Sequence, residues 1–142
     1  MTRLTPILTV DAIEPLLPFW TEAVGFEITA QVPHPPDAQD GPLGFVMLSR
    51  DQAELMLQTR ASVEVDLGAS ATEAGGAGLG QRLAGSMALL FLQVDSVDEV
   101  LDRISDPEIV VPRRTTFYGM DEVFILAPGG ALLGLAAPAE TG

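Results

Sequence analysis

The chain contains one pattern twice. Residues 7–13 read ILTVDAI and residues 91–97 read FLQVDSV, so the pair Val10-Asp11 recurs as Val94-Asp95 at an offset of 84. Residues 45–57, FVMLSRDQAELML, align without gaps to residues 123–135, VFILAPGGALLGL, at an offset of 78. The difference of six between the offsets is loop length, and the Pro-rich stretch VPHPPDAQDGP at 32–42 lengthens the first half. Self-similarity on this scale points to one supersecondary unit used twice.

Each half presents its signals in the same order. An apolar β run comes first, Leu4 to Val10 and then Met87 to Val94. A helix start follows. Ser96-Val97-Asp98-Glu99 has the form of a capping box, in which the Ser96 hydroxyl takes the Glu99 amide, and Asp11-Ala12-Ile13-Glu14 is its counterpart. Val97, Val100, Leu101 and Ile104 recur at helical spacing, as do Ile13, Leu16, Leu17, Trp20 and Val24. Pro15 falls in a first turn, where a missing amide costs little, whereas Pro18 delays or kinks the helix. Glu27 to Val32 and Glu108 to Val111 are the expected second strands. Two further strands in each half join at Arg50-Asp51-Gln52 and at Pro128-Gly129-Gly130. The expected organisation is a single domain over 1–142, with module one at 1–60, a Gly-, Ala- and Ser-rich linker at 61–85, and module two at 86–138. The linker is expected to be mobile or to fold over a cleft.

Composition excludes several classes. With 20 acidic and 7 basic residues, all seven of them Arg, the net charge is -13. Such a field repels phosphates, so nucleic acid is not an expected partner, and it concentrates cations near any cleft. Acidity also serves solubility alone. Cysteine is absent, which removes disulfides and thiol chemistry and suits a reducing compartment. The opening apolar run is too short for a signal peptide, and the longest apolar stretch, Met87 to Leu92, is far short of a membrane span. The expectation is a soluble, cytoplasmic protein.

Three stretches carry a family resemblance. FWTEAVGFEI at 19–28 resembles an aromatic-aromatic-x-x-x-x-Gly-Phe motif after a first helix, FYGMDEVFILAPGGALLGL at 117–135 is similar to a Tyr-Gly-Met…Asp-Pro-x-Gly-Asn pattern, and PILTV at 6–10 is similar to a first strand of resistance proteins. In order, and with the internal repeat, they resemble the glyoxalase / bleomycin-resistance / extradiol-dioxygenase superfamily. The resemblance implies an α+β fold, two β-α-β-β-β modules forming a half-barrel cleft, and a homodimer, with Pro6 similar to a hinge proline in arm-swapped members. It also implies metal ligands in the first and last strand of each module, positions that fall on Thr5, Met56, Leu89 and Gly134. None suits a hard or borderline divalent ion, which takes imidazole or carboxylate. The Asp usual before the Pro-Gly turn is replaced by Ala127, and the single histidine, His34, stands between two prolines. No metal and no cofactor are therefore expected.

Strand alternation then assigns faces. If those four positions face the cleft, so do Ile7, Thr9, Glu54, Gln58, Phe91, Gln93, Leu132 and Ala136, while Leu8, Val10, Leu55, Leu57, Leu90, Leu92, Leu133 and Leu135 pack beneath helices. Phe117, Tyr118 and Met120 sit just before the last hairpin, in a loop that the resemblance implies borders the cleft. The ligand-binding set so expected is Thr5, Ile7, Phe45, Met47, Met56, Gln58, Leu89, Phe91, Phe117, Tyr118, Met120 and Gly134, apolar surfaces with a few hydrogen-bonding groups. The competing reading is that these residues fill a closed core. Trp20 is expected in the core or a dimer interface, and the basic pair Arg113-Arg114 in a solvated loop in preference to an anion site. A carboxylate general base at Glu54 or Glu122 rests on residue type alone. GGAGLG at 75–80 matches a dinucleotide fingerprint poorly, and His34 alone builds no catalytic triad.

The residues favour a small-molecule-binding protein similar to bleomycin-resistance proteins, which sequesters a hydrophobic, cationic ligand without making or breaking a bond. An enzyme of the superfamily, a lyase, isomerase or dioxygenase with an atypical or absent metal site, is the alternative. A scaffold or regulatory dimer with a filled cleft is the third reading.

Overall fold

The computed structural model describes residues 3–72 and 78–140. Its order is β1 (Ile7–Val10), a first helical stretch, β2 (Glu27–Pro33), β3 (Leu43–Arg50), β4 (Ala53–Thr59), α1 (Arg60–Asp66), α2 (Leu79–Ala84), β5 (Leu89–Gln93), α3 (Val97–Asp102), β6 (Ile109–Thr115), β7 (Met120–Leu126) and β8 (Leu132–Pro138). Strands β1-β4-β3-β2 form one four-stranded sheet and β5-β8-β7-β6 the other, each with one parallel pair, β1 with β4 and β5 with β8. This is a β-α-β-β-β unit twice over, an α+β fold.

Alternation decides which side chains meet. Val46, Leu48, Leu55 and Leu57 of the first sheet, and Val123, Ile125, Leu133 and Leu135 of the second, are buried and join one core with Ile13, Trp20, Val24, Val97 and Val100. Each such side chain removed from water contributes about 1.5–3 kcal/mol before the entropy of ordering it is subtracted. Residues between them along the strands face the other way. The sheets approach one another along β1 and β5. Leu4 and Pro6 share a cavity of about 250 Å³ with Leu90, Phe91 and Leu92, and Ile7 to Thr9 share a smaller one with Ala88 and Gly129 to Ala131. No ladder joins the two edges among the described residues.

Ladder registers test the internal alignment. Ile7 pairs with Met56 and Phe91 with Gly134, so offsets of 84 for the first strand and 78 for the last both hold. The third strand departs by one residue. Phe45 lies opposite Gln58, but Glu122, not Val123, lies opposite Ala136. The gapless alignment of 45–57 with 123–135 is thus wrong over β3 and β7, where the offset is 77. The cause is the turn. Arg50 pairs with Ala53 around Asp51-Gln52, whereas Ala127 bonds to Ala131 around Pro128-Gly129-Gly130, a turn one residue longer in which both glycines have positive φ.

Four other expectations need correction. The first helix is not a regular α-helix over 13–24 but a 3₁₀ turn at Glu14–Leu16 followed by a π-helical turn at Phe19–Ala23. Pro18 has no N–H to donate, so the α-helical ladder breaks there, yet Ile13, Leu16, Trp20 and Val24 are still buried along one stripe. Asp11 does not cap it but pairs with Arg60, while Ser96 does accept from the Glu99 amide, at 3.2 Å. Segment 61–85 carries most of α1, with Thr59 as its N-cap, and all of α2. The Gly80 amide donates to Glu64 Oε1 at 2.5 Å, which ties the two helices together, and the glycine-rich run before α2 lies largely outside the described residues. Arg113 and Arg114 lie in β6 rather than in a loop.

Candidate ligand-binding face

The face opposite the core is open in part on both sheets, with Ile7, Leu89 and Phe91 exposed and Gln58, Glu122 and Ala136 buried. On the first, Ile7, Met56 and Met47 form one cross-strand row, and Thr9, Gln58 and Phe45 the next. Thr5 precedes β1, and its Oγ1 donates to Glu54 Oε1 at 2.7 Å, while Arg3 stands 3.6 Å from the other carboxylate oxygen. Gln58 is buried, its amide donating to Ser62 Oγ at 3.1 Å and Asp66 Oδ2 at 3.4 Å, so α1 closes that end of the face. Ile7 is half exposed and Met47, Met56 and Phe45 partly so.

On the second sheet the central row is Phe91, Gly134 and Phe124. Phe91 is 55% exposed. A Cβ on Gly134 would stand 2.6 Å from Phe124 Cε1, so the ring lies directly over the glycine. Leu89 is exposed beside Leu132. The next row is Gln93, Ala136, Glu122 and Arg114. Glu122 is 1% exposed, and both its oxygens are engaged. Arg114 donates to Oε1 from Nε at 2.8 Å and from Nη2 at 2.5 Å, and Tyr118 donates to Oε2 at 3.2 Å. Phe117, fully exposed, stands edge-on to Tyr118 with centroids 5.0 Å apart. Met120 opens β7 opposite Pro138.

The twelve expected residues therefore divide between two sheets and the turn before β7, and no one cavity among those described gathers them. Phe91 alone among them lines the 250 Å³ cavity, with Glu54, Trp20 and Phe26. Trp20 is core, and its Nε1 has no partner among the described residues. Sequence reasoning missed Phe124 and Arg114, and named Glu122 only by type. The one-residue slip in the alignment hid them, because it matched Phe45 with Val123 rather than Glu122, and Arg-Arg eight residues before Asp-Glu was the available signal.

Arg113 points to the helical side of the same strand. It bonds Asp121 through Nε at 2.9 Å and through Nη2 at 2.7 Å, and reaches Asp98 of α3 through Nη1. Its hydrogen bonds hold both carboxylates below their ordinary range and raise its own pKa. Neither arginine is a free anion site.

The metal positions do not fit a metal. Thr5 and Met56 offer a hydroxyl and a thioether, Leu89 nothing, and at Gly134 the Phe124 ring fills the space a ligating side chain would need. Among the described residues no three His, Cys, Asp or Glu converge where they could hold an ion. No helix among those residues is long and apolar enough to cross a membrane.

A repeated β-α-β-β-β unit with an open face on each sheet defines the class, and the sequence agrees. Residues 3–135 match the family description Glyoxalase/Bleomycin resistance protein/Dioxygenase superfamily, to which the chain belongs. Among solved structures, the chain is similar to TioX from Micromonospora sp. ML1 at 14% identity and TM-score 0.70, covering 97% of this chain and 99% of that one. A glyoxalase/bleomycin resistance protein/dioxygenase from Nocardioides aligns at 14% identity and TM-score 0.63, covering 100% and 87%. The bleomycin-binding protein of Streptomyces verticillus, solved with copper(II)-bleomycin, aligns at 17% identity and TM-score 0.56, covering 99% and 98%. At such identities the likeness shows the fold alone. No curated protein matches the sequence.

Proposed function

We propose that the chain is a metal-free small-molecule-binding protein of the cytoplasm that sequesters a hydrophobic, cationic ligand on its open sheet faces, with no bond made or broken. The observation that carries this reading is the row Phe91, Gly134, Phe124, in which Phe91 is 55% exposed on the face opposite the core. Flat rings and the thioethers of Met47 and Met56 suit a planar ligand, and aromatic faces attract cations. Glu54 and the chain's charge of -13 favour that sign. The bleomycin-binding relative lends the idea of sequestration. A homodimer belongs to the same reading, because the fully exposed Phe117 and the half-exposed Ile109, Val110 and Tyr118 leave apolar surface for a second copy.

Calorimetric titration with ethidium, a planar aromatic cation, and with metal-free bleomycin tests it. Saturable binding of either, weakened about tenfold or more in Phe91→Ala, is expected. Binding of neither, or binding indifferent to Phe91, contradicts the reading.

A further inference from the structure

Arg114 and Glu122 form an ion pair that is buried on one side only. Glu122 is 1% exposed and the Arg114 side chain 55% exposed, so the anion lies beneath and the cation above, on the open face. Both carboxylate oxygens are occupied, one by Arg114 and one by Tyr118, so Glu122 acts as a buttress rather than a base. The guanidinium is fixed by two hydrogen bonds to one oxygen, with its Cζ 6.0 Å from the centre of the Phe124 ring. Among the described residues nothing accepts from Nη1. A donor is thus held rigidly over the Phe124 ring, in the strand row next to that of Phe91 and Gly134.

From this arrangement we infer that Arg114 is a specificity-determining residue, and that the ligand face selects planar aromatic compounds carrying a neutral carbonyl oxygen, such as aryl ketones, quinones or aryl amides. The exposed Phe91 ring sets planarity. The fixed Nη1 sets where the acceptor must lie, beside the guanidinium that covers Phe124, and a rigid donor loses little entropy on binding. Neutrality follows from charge: the pair with Glu122 is already balanced, and a chain of net charge -13 repels a carboxylate. This inference rests on the proposed use of the open face for a small molecule, and it adds a polar requirement to a surface otherwise chosen by apolar contact.

The test compares 2-acetylnaphthalene with 2-ethylnaphthalene, which differ by one carbonyl oxygen, by equilibrium dialysis. The intact chain is expected to bind the ketone about tenfold more tightly, the effect of one well-placed hydrogen bond. Arg114→Lys, which keeps the charge opposite Glu122 but not the planar fork, is expected to lose that preference. So is the double variant Arg114→Gln/Glu122→Gln, which leaves no buried charge unpaired. Arg113→Gln, on the other side of the strand, is expected to keep it. Thermal melts of each variant establish that it is folded. Equal binding of both naphthalenes by the intact chain, or a preference that survives both Arg114 variants, overturns the inference while leaving the open face a binding surface. Binding of neither compound overturns the inference, and titration of the same protein with ethidium then decides separately whether the cation-binding reading stands.

Discussion

Gly134 matters because it has no side chain. Its place between Phe91 and Phe124 keeps the row flat, and the Phe124 ring occupies the space a Cβ would take, 2.6 Å from the nearest ring carbon. Gly134→Ala is therefore expected to push the ring off its position at a cost of about 1–3 kcal/mol, read as a lowered melting temperature. Phe124→Leu is expected to recover part of that loss, so the two changes should not add. The sequence offered the glycine and its neighbour Phe91 but not the ring above it. Period-two alternation put Leu55 and Leu57 of β4 and Leu133 and Leu135 of β8 on the core side, and all four are buried. No faces were assigned along β7, where the gapless alignment matches Phe45 with Val123 although one extra turn residue puts Glu122 in that place.

Among the elements, β6 shows what tertiary pairing adds to local pattern. Ile109 to Thr115 alternates no apolar residues after Val111, so the sequence ended the strand there, and the structure continues it because Arg113 and Arg114 each meet a carboxylate on β7. Arg113 also joins the strand to α3 through Asp98. Asp98 and Asp121 are held below their ordinary value of 3.8, chiefly by hydrogen bonds from Arg113. A depressed carboxylate pKa adds stability that is present above the unfolded value and lost as the pH falls through the folded one. Arg113→Gln is thus expected to melt below the parent near neutral pH, with the gap closing below pH 3.8 as both carboxylates take up protons. A gap unchanged with pH would place the effect in packing of the arginine stem instead. The first helical stretch was legible as a buried stripe but not as a 3₁₀ turn and a π turn, since periodicity reports which side chains face inward and not how Pro18 divides the backbone. Between the modules, α1 and α2 were illegible because their stability comes from packing and from the Glu64 contact rather than from an amphipathic repeat.

For the whole molecule, two modules share one core on the helical side and turn their other faces outward. The repeat made this plan readable, and the family match over residues 3–135 agrees with it. What binds on those faces was less readable, because function sits in side chains that cross strands, and cross-strand neighbours depend on register. Sedimentation equilibrium is expected to give twice the chain mass of 15.0 kDa, with Phe117→Asp shifting the balance toward monomer. A chain that sediments as a monomer at all concentrations would leave Phe117 to be covered by ligand alone. The central claim is that Thr5, Met56, Leu89 and Gly134 have left the fold without its metal and given the surface to apolar binding. Elemental analysis of protein purified without a metal-binding tag tests it most directly. Transition-metal content near zero per chain is the predicted result, and about one bound metal per chain would contradict the account.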